Sequence, residues 1–585
     1  MKGVAICNND VVVISWDFDN ILPNCLGFAI YRIDLNDVQR NEEALPTWMG
    51  FNEAINVDWV SRPSDVWPVQ AFQWRDLLAK HLGTYQYRIV PMIGTPNNLR
   101  RLDNASLITN EVKLSPDCGG FSSYFNRGIL STQHLAHMFS SGPNGEPDYH
   151  DFIPKLRTPG DPTRNRLAGD MINAIKILFE RAKIEKGQCY CALYELNDPE
   201  LVELLINSSN YVHIILADAG KADATNIEAR AKLQGAGIDL TNRMLNAGHI
   251  GHNKFIIYLD GTGDPQAVLT GSTNWTYTGL CGQSNNSILI ESKEVASLYF
   301  GYWNRLKQDS AQLQQNKGSQ GKKLRDEDSQ PTNISLDNGK VTTTIWFSPN
   351  TAKATKPTPE KVNLFTPGDM KDLFRYMNQA KTGILFLTFS PGTPSIIDEA
   401  KNIQTHNRNL YIRGARTGFG ELEKLQVHPG LDHRSALEQD SIIQPNPNLD
   451  LEETVISATA INDTFANYYK ELLKLPDAFA VIHDKIVVID PFSDNCVVIT
   501  GSHNLGYKAS YQNDENLLLI RGNQALAQSY AAHVNDIYEH YRWRSHIQKY
   551  GIENRHQLTG DDSWQKPYFD ENNPRRSEMK FWTRS

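Results

Sequence analysis

Two stretches decide how this chain is read. The first is His252-Asn-Lys254-Phe-Ile-Ile-Tyr-Leu-Asp260, continuing to Gly271-Ser-Thr-Asn274-Trp; the second, about 230 residues later, is His483-Asp-Lys485-Ile-Val-Val-Ile-Asp490, continuing to Gly501-Ser-His-Asn504-Leu. Each is His-x-Lys, an apolar run, a turn, a second apolar run and Gly-Ser-x-Asn, so the chain carries an internal repeat. Residues i and i+2 of a strand share a face, which sets each His beside its Lys. Residues 255–259 and 486–489 are predicted buried strands, and 266–270 and 497–500 lead into turns that bring hydroxyl and amide groups near the imidazole and ammonium. The sequence thus offers two half-sites, each with an ionisable imidazole, a cation and neutral donors.

The surroundings read as α/β. Leu167, Met171, Ile172, Ile175, Leu178, Phe179 and Ala182 share one helical face, and the apolar runs 189–196 and 212–217 flank a helix starting near Asp198, which is βαβ logic. The same grammar returns with a helix over 370–377 and strands over 383–389 and 410–413. Between them residues 308–340 are Gln, Lys, Ser, Asp and Asn with almost no large apolar side chains, the composition of a linker or long surface loop. Residues 417–477 have no counterpart in the first half and read as an insertion over the site. Before residue 100, short runs at 11–17, 27–32 and 84–90 read as sheet. A Trp on an early strand and a late Tyr-x-Tyr strand there resemble a fibronectin type III or immunoglobulin-like sandwich.

With 585 residues, two to four domains are expected. At 40% hydrophobic and 21% charged, the composition is that of folded globular domains. The net charge of −9 excludes non-specific attraction to nucleic acid or anionic membrane as a property of the whole molecule, while leaving room for a local basic cleft. Seven scattered cysteines, Cys189 and Cys191 among them, show no metal-ligand or disulfide spacing. The amino-terminal run 11–14 is too short for a signal-peptide core, and no stretch is long enough to span a bilayer. Cytoplasmic residence is the default expectation, with signal-independent secretion open.

The repeat resembles the phospholipase D superfamily, whose two His-x-Lys motifs (HKD motifs) from similar halves meet at one active site. The second copy follows the family pattern in His483, Lys485, Asp490, Gly501, Ser502, Asn504 and Glu515. The first departs twice. Leu259 stands where the motif Asp belongs, with Asp260 one residue later, and Asn285 stands where the second half has Glu515. The first departure reads as a one-residue insertion, since His252 to Gly271 spans 19 positions against 18 from His483 to Gly501. The resemblance implies that Glu515 orients His252 across the interface, while His483 faces Asn285.

On that basis the resemblance implies a metal-independent, cofactor-free phosphodiesterase working through a phosphohistidine. His252 is the nucleophile and His483 the general acid and then base. Lys254, Lys485, Asn274 and Asn504 hold the non-bridging oxygens, with Ser272 and Ser502 as further substrate contacts. The expected architecture is a β-sandwich (1–100), two α/β halves (101–307 and 342–548) related by a pseudo-two-fold axis and joined by a polar linker (308–341), and a carboxy-terminal extension (549–585). One chain, a monomer, completes the site. The expected substrate is a phospholipid, with peripheral membrane contact, cleaved by hydrolysis at the headgroup. The alternatives are nucleic acid, cleaved by a nuclease, and a catalytically silent phosphate-ligand binding protein. Three further features stay open: 125–133 as a phosphate-binding entrance or a packed loop, Trp275 as a substrate platform or buried aromatic, and the carboxy-terminal mixture of Trp564, Tyr568, Arg575, Arg576, Lys580, Phe581 and Trp582 as a membrane or nucleic-acid contact, a solvated tail or a packed extension.

Overall fold

The computed structural model describes residues 1–584 apart from 52–59, 129–151, 219–222, 317–319, 356–364, 418–454, 459–481 and 551–556. Each half is built on one mixed sheet. In the first, the strand order is Phe121–Phe125, Asn286–Ile290, Pro265–Gly271, Lys254–Leu259, Gln188–Leu193, Val212–Asp218, Asp239–Met244. In the second it is Thr332–Leu336, Val341–Ser348, Glu515–Arg521, Val497–Gly501, Lys485–Ile489, Gly383–Thr388, Tyr411–Thr417, Val455–Ala458. Apart from the extra edge strand Thr332–Leu336, the two orders match position by position, and the two His-x-Lys strands occupy equivalent central places.

Strand alternation explains how the sheets pack. Phe255 and Ile257 enter the same apolar cluster as Ile486 and Val488, whereas Ile256 and Tyr258 enter a cluster confined to the first half and Val487 and Ile489 one confined to the second. The shared cluster also takes Tyr299, Tyr302 and Trp303 of the helix Lys293–Asn316 and Tyr530, Val534 and Tyr538 of the helix Gln524–Tyr550. Two long helices therefore contribute to the core common to both sheets, and shorter helices such as Met171–Glu185 and Gly368–Asn378 cover the outer faces. The helical face read from Leu167 to Ala182 is divided between Pro162–Ala168 and Met171–Glu185, with Gly169 at φ +53° between them.

Polar groups pin the two halves together with the same symmetry. Thr270 Oγ1 donates to Asn516 Oδ1 at 2.8 Å, and Asn286 Nδ2 donates to Thr500 Oγ1 at 2.7 Å. Beside them, buried Arg243 bonds Asp514 at 2.7 Å and Asp309 at 2.6 Å. Arg243→Met is expected to destabilise the protein by about 3–5 kcal/mol, because it leaves two buried carboxylates without their cation. A fall in the urea midpoint measures this; an unchanged midpoint would mean that the ionic cluster contributes nothing at the junction.

Residues 308–341 differ from a structureless connector. The helix Lys293–Asn316 runs through the first part, a second helix forms at Lys322–Glu327, and Thr332–Leu336 joins the second sheet. Polar residues are buried there because they are paired: Asp309 with Arg243, and Asp328 with Arg305. The proposed insertion over 417–477 falls almost wholly outside the described residues; within it Val455–Ala458 pairs in parallel with Tyr411–Thr417.

The amino-terminal region contains a three-stranded sheet (Lys2–Cys7, Val12–Asp17, Gln73–Asp76) and a second sheet centred on Cys25–Asp34 and Thr84–Thr95. Trp16, Phe28, Ile30, Tyr87 and Ile89 form its core, with Trp16 edge-on to Phe28 at 5.3 Å. Its strands continue past residue 100, since Leu107–Ile108 and Val112–Lys113 still pair with Thr84–Thr95. The carboxy-terminal aromatics are used in packing rather than displayed for a ligand. Trp564 lies 5.7 Å from Phe28 and 5.6 Å from Phe72, Phe581 stacks on Tyr411 at 4.3 Å, and Trp582 is buried. Arg576 and Lys580 both pair with Glu571. Among the described residues, no helix is long and apolar enough to cross a membrane.

Candidate functional site

The site forms where equivalent strand ends of the two sheets meet. The His252 N–H donates to Asp514 O at 2.9 Å, and the His483 N–H donates to Ser284 O at 3.0 Å, so each His-x-Lys segment is bonded to the residue just ahead of the opposite half's orienting position. This brings the two imidazoles to 6.3 Å between ring centroids. One chain supplies both.

The outer ring nitrogens are held across the junction. His252 Nδ1 lies 3.1 Å from Glu515 Oε2, and His483 Nδ1 lies 2.9 Å from Asn285 Oδ1. Asn285 donates its own amide to Gly279 O at 2.9 Å, which leaves its carbonyl oxygen facing His483. Both acceptors fix an Nδ1–H tautomer, so each Nε2 carries the available lone pair.

Burial sets the protonation states. It pushes His252 down to about 4, reinforced by Lys254 and partly opposed by Glu515. Burial, then Lys485 and Lys254, holds His483 well below the usual imidazole range. Lys485 is pushed down to about 7 by burial, and Lys254 is lowered by burial and by repulsion from Lys485. For Glu515 burial acts upward, but pairing with His252 outweighs it and keeps the carboxyl below its ordinary range. The result is a charged carboxylate behind a neutral imidazole. Each Lys Nζ also donates to its own His carbonyl, at 2.6 Å for Lys254 and 2.7 Å for Lys485.

The Gly-Ser turns have a steric reason. A Cβ on Gly271 would sit 2.3 Å from Asn286 O, and one on Gly501 would sit 2.4 Å from Asn516 O. The serines, expected as substrate contacts, are engaged by the backbone of the turns. Ser272 Oγ accepts from the Asn286 N–H and Ser502 Oγ from the Asn516 N–H, both at 3.0 Å, and both side chains are fully buried. They lock the turns that carry Asn274 and Asn504.

The motif aspartates are also structural in placement. Asp490 accepts from the backbone N–H groups of Lys381, Thr382 and Gly383. Asp260 instead caps its own hairpin through Thr262 and Asp264, next to a register shift between Tyr258 and Leu259, where the extra residue is absorbed.

Three side chains at the site escaped the sequence reading: Tyr194, Glu195 and Phe389. Tyr194 comes directly after Gln188–Leu193 and Phe389 directly after Gly383–Thr388, and both occupy the same register, since Leu193 pairs with Lys254 and Thr388 with Lys485. Tyr194 lies 4.9 Å from the His252 ring and Phe389 5.3 Å from the His483 ring. Glu195 Oε2 accepts from Asn274 Nδ2 at 2.5 Å. The shared offset after corresponding strands was the available signal.

Other expectations resolve toward packing. Trp275 is buried against Phe179 at 6.4 Å, and Cys189 and Cys191 are buried, free thiols. In 125–133, Arg127 pairs with Asp10, and Asn126 holds the Asn285 loop by accepting the Asn285 N–H at 2.8 Å; residues 129–133 lie outside the described residues.

The fold and site together define a two-lobed protein with a paired imidazole centre. The family profile described as "Cardiolipin synthase, PLD-like domain" matches residues 177–307 and 434–538. Each matched segment carries one of the two His-x-Lys strands, which supports the phospholipase D superfamily. Among solved structures similar to this chain is phosphatidylserine synthase from Haemophilus influenzae, at 13% identity over 69% of this chain and 91% of that one, with a TM-score of 0.39. Nuc, a phospholipase D family member from Salmonella typhimurium, shares 21% identity over 22% of this chain and 84% of its own, with a TM-score of 0.20. Yeast tyrosyl-DNA phosphodiesterase shares 11% over 59% and 86%, with a TM-score of 0.30. No curated protein matches the sequence.

Proposed function

We propose that this protein is a metal-independent phosphodiesterase that acts through a phosphohistidine, and that its substrates are phospholipids cleaved at the headgroup. The observation that carries the reading is the pair of buried imidazoles facing each other at 6.3 Å, one backed by a carboxylate and the other by a neutral amide. His252 Nε2 attacks phosphorus, a P–N bond forms, and the bond to the leaving oxygen breaks as His483 gives that oxygen a proton. Water then attacks, loses its proton to His483 and releases the phosphomonoester as the P–N bond breaks. The bound phosphoryl anion favours protonated His483, countering the burial that keeps it neutral in the free protein. Lys254, Lys485, Asn274 and Asn504 neutralise the non-bridging oxygens. A net charge of −9 favours a phospholipid over a polyanionic nucleic acid.

The test is product analysis after incubation with mixed phospholipid vesicles and plasmid DNA in parallel, in EDTA, using wild type and His252→Asn. Phosphatidic acid release by wild type alone is expected, with EDTA leaving the rate unchanged. A strict divalent-metal requirement would overturn the mechanism. DNA cleavage alone would replace the lipid reading with a nuclease, and no product from either would favour a silent phosphate-binding protein.

A further inference from the structure

Glu195 has no counterpart in the second half, where Ser390 holds the same register after Gly383–Thr388. It stands in the phosphoryl cradle, because the amide that it engages belongs to Asn274, one of the groups assigned to a non-bridging oxygen. Among the described residues no cation forms an ion pair with it. The charged and titratable groups that act on it are Lys254 and Lys485 from the two central strands and Asp223 from the segment before the helix Ile227–Gly235, which is itself paired with Arg230; Tyr194 adjoins it in sequence.

A phosphodiester monoanion and an ionised Glu195 would compete for the same amide and the same two ammonium groups. Two anions sharing one desolvated site cannot both stay charged at ordinary cost, and one of them takes a proton. A phosphodiester is far too strong an acid to be that partner. Glu195 is suited to it, since burial already raises its carboxyl above the ordinary range. The neutral acid is also the useful form. It presents an O–H donor where the carboxylate presents only acceptors, and Ser390 gives the second half a hydroxyl at the equivalent position.

We propose that Glu195 is a substrate-binding residue that works as a neutral carboxylic acid, taking up a proton as the phosphodiester enters and donating its O–H to a non-bridging phosphoryl oxygen. This rests on the reading that the phosphoryl group binds between His252 and His483. No bond in the substrate changes in this step: one proton moves from solvent to Glu195, and it returns when the product leaves.

Sulfate is the probe, because it is a tetrahedral oxyanion with no proton to lose near neutrality. Isothermal titration from pH 6 to 8.5, in buffers of different ionisation enthalpy, counts the protons taken up. Lys485, Lys254 and the two histidines also gain protons when an anion binds, so the readout is the difference between wild type and Glu195→Gln. Wild type is expected to take up about one proton more per sulfate at the basic end, since only wild type has the carboxylate. Glu195→Gln keeps a donor and retains sulfate binding, whereas Glu195→Ala lacks one and is expected to bind about tenfold more weakly than Glu195→Gln. Equal proton uptake in wild type and Glu195→Gln, equal affinity of the Gln and Ala variants, or no sulfate binding by wild type would each overturn the proposal. Phosphatidic acid release alongside any of these would leave the proposed activity standing.

Discussion

His252→Asn is expected to lower kcat/KM by about three orders of magnitude or more, because the substitution removes the lone pair that forms the covalent bond and leaves only binding and electrostatic stabilisation. His483→Asn is expected to cost a similar factor with a phospholipid, whose leaving alkoxide is a poor leaving group without a proton. The two variants separate with an activated substrate such as a nitrophenyl phosphodiester. That leaving group departs without an acid, so His483→Asn should regain most of the first step and accumulate a phosphohistidine, visible as a burst of nitrophenol and as an acid-labile phosphoprotein. His252→Asn should show neither. A burst in His252→Asn and none in His483→Asn would exchange the two roles. Loss of less than about tenfold in both variants would remove the covalent path, since no other nucleophile at the centre has been assigned.

The legible part of the fold is what depends on strict spacing. His252 and Lys254, like His483 and Lys485, appear as pairs because a strand repeats every two residues, and Gly271 and Gly501 appear because a carbonyl oxygen leaves no space for a Cβ. Buried parallel strands such as Val212–Asp218 are legible as uninterrupted apolar runs. The helix through residue 316 is hidden because its apolar face ends near Leu306, and the next turn is buried through charge, as Asp309 is by Arg243. Composition cannot distinguish a paired Asp from a solvated one. Glu195 is hidden for another reason: its importance lies in register against Ser390, and the two strands that carry the register share almost no letters. The carboxy-terminal aromatics illustrate the ambiguity of composition in another way: a mixture that also suits a surface ligand is consumed by packing against the chain's own sheets.

The asymmetry between Glu515 and Asn285 leads to the second large effect. Glu515→Gln is expected to lower kcat by about two to four orders of magnitude. The change preserves shape but removes the charge that stabilises the cation formed on His252 during attack. A Gln can also turn its N–H2 toward Nδ1, which favours the Nε2–H tautomer and buries the nucleophilic lone pair; the analogous change in a triad acid costs about 10⁴. Asn285→Ala removes a neutral acceptor from His483 Nδ1 and is expected to lower kcat by about tenfold, with a further loss of stability because Asn285 also accepts from Ser272 and donates to Gly279. The distinction is carried by charge, since Glu515 is the only one of the pair that can stabilise an imidazolium by attraction, and Asn513 holds its other oxygen at 2.7 Å so that it cannot swing aside. Single-turnover rates separate the chemical step from product release. If the two substitutions slow phosphohistidine formation equally, the carboxylate gives His252 no advantage over His483, and the choice of nucleophile loses its physical basis.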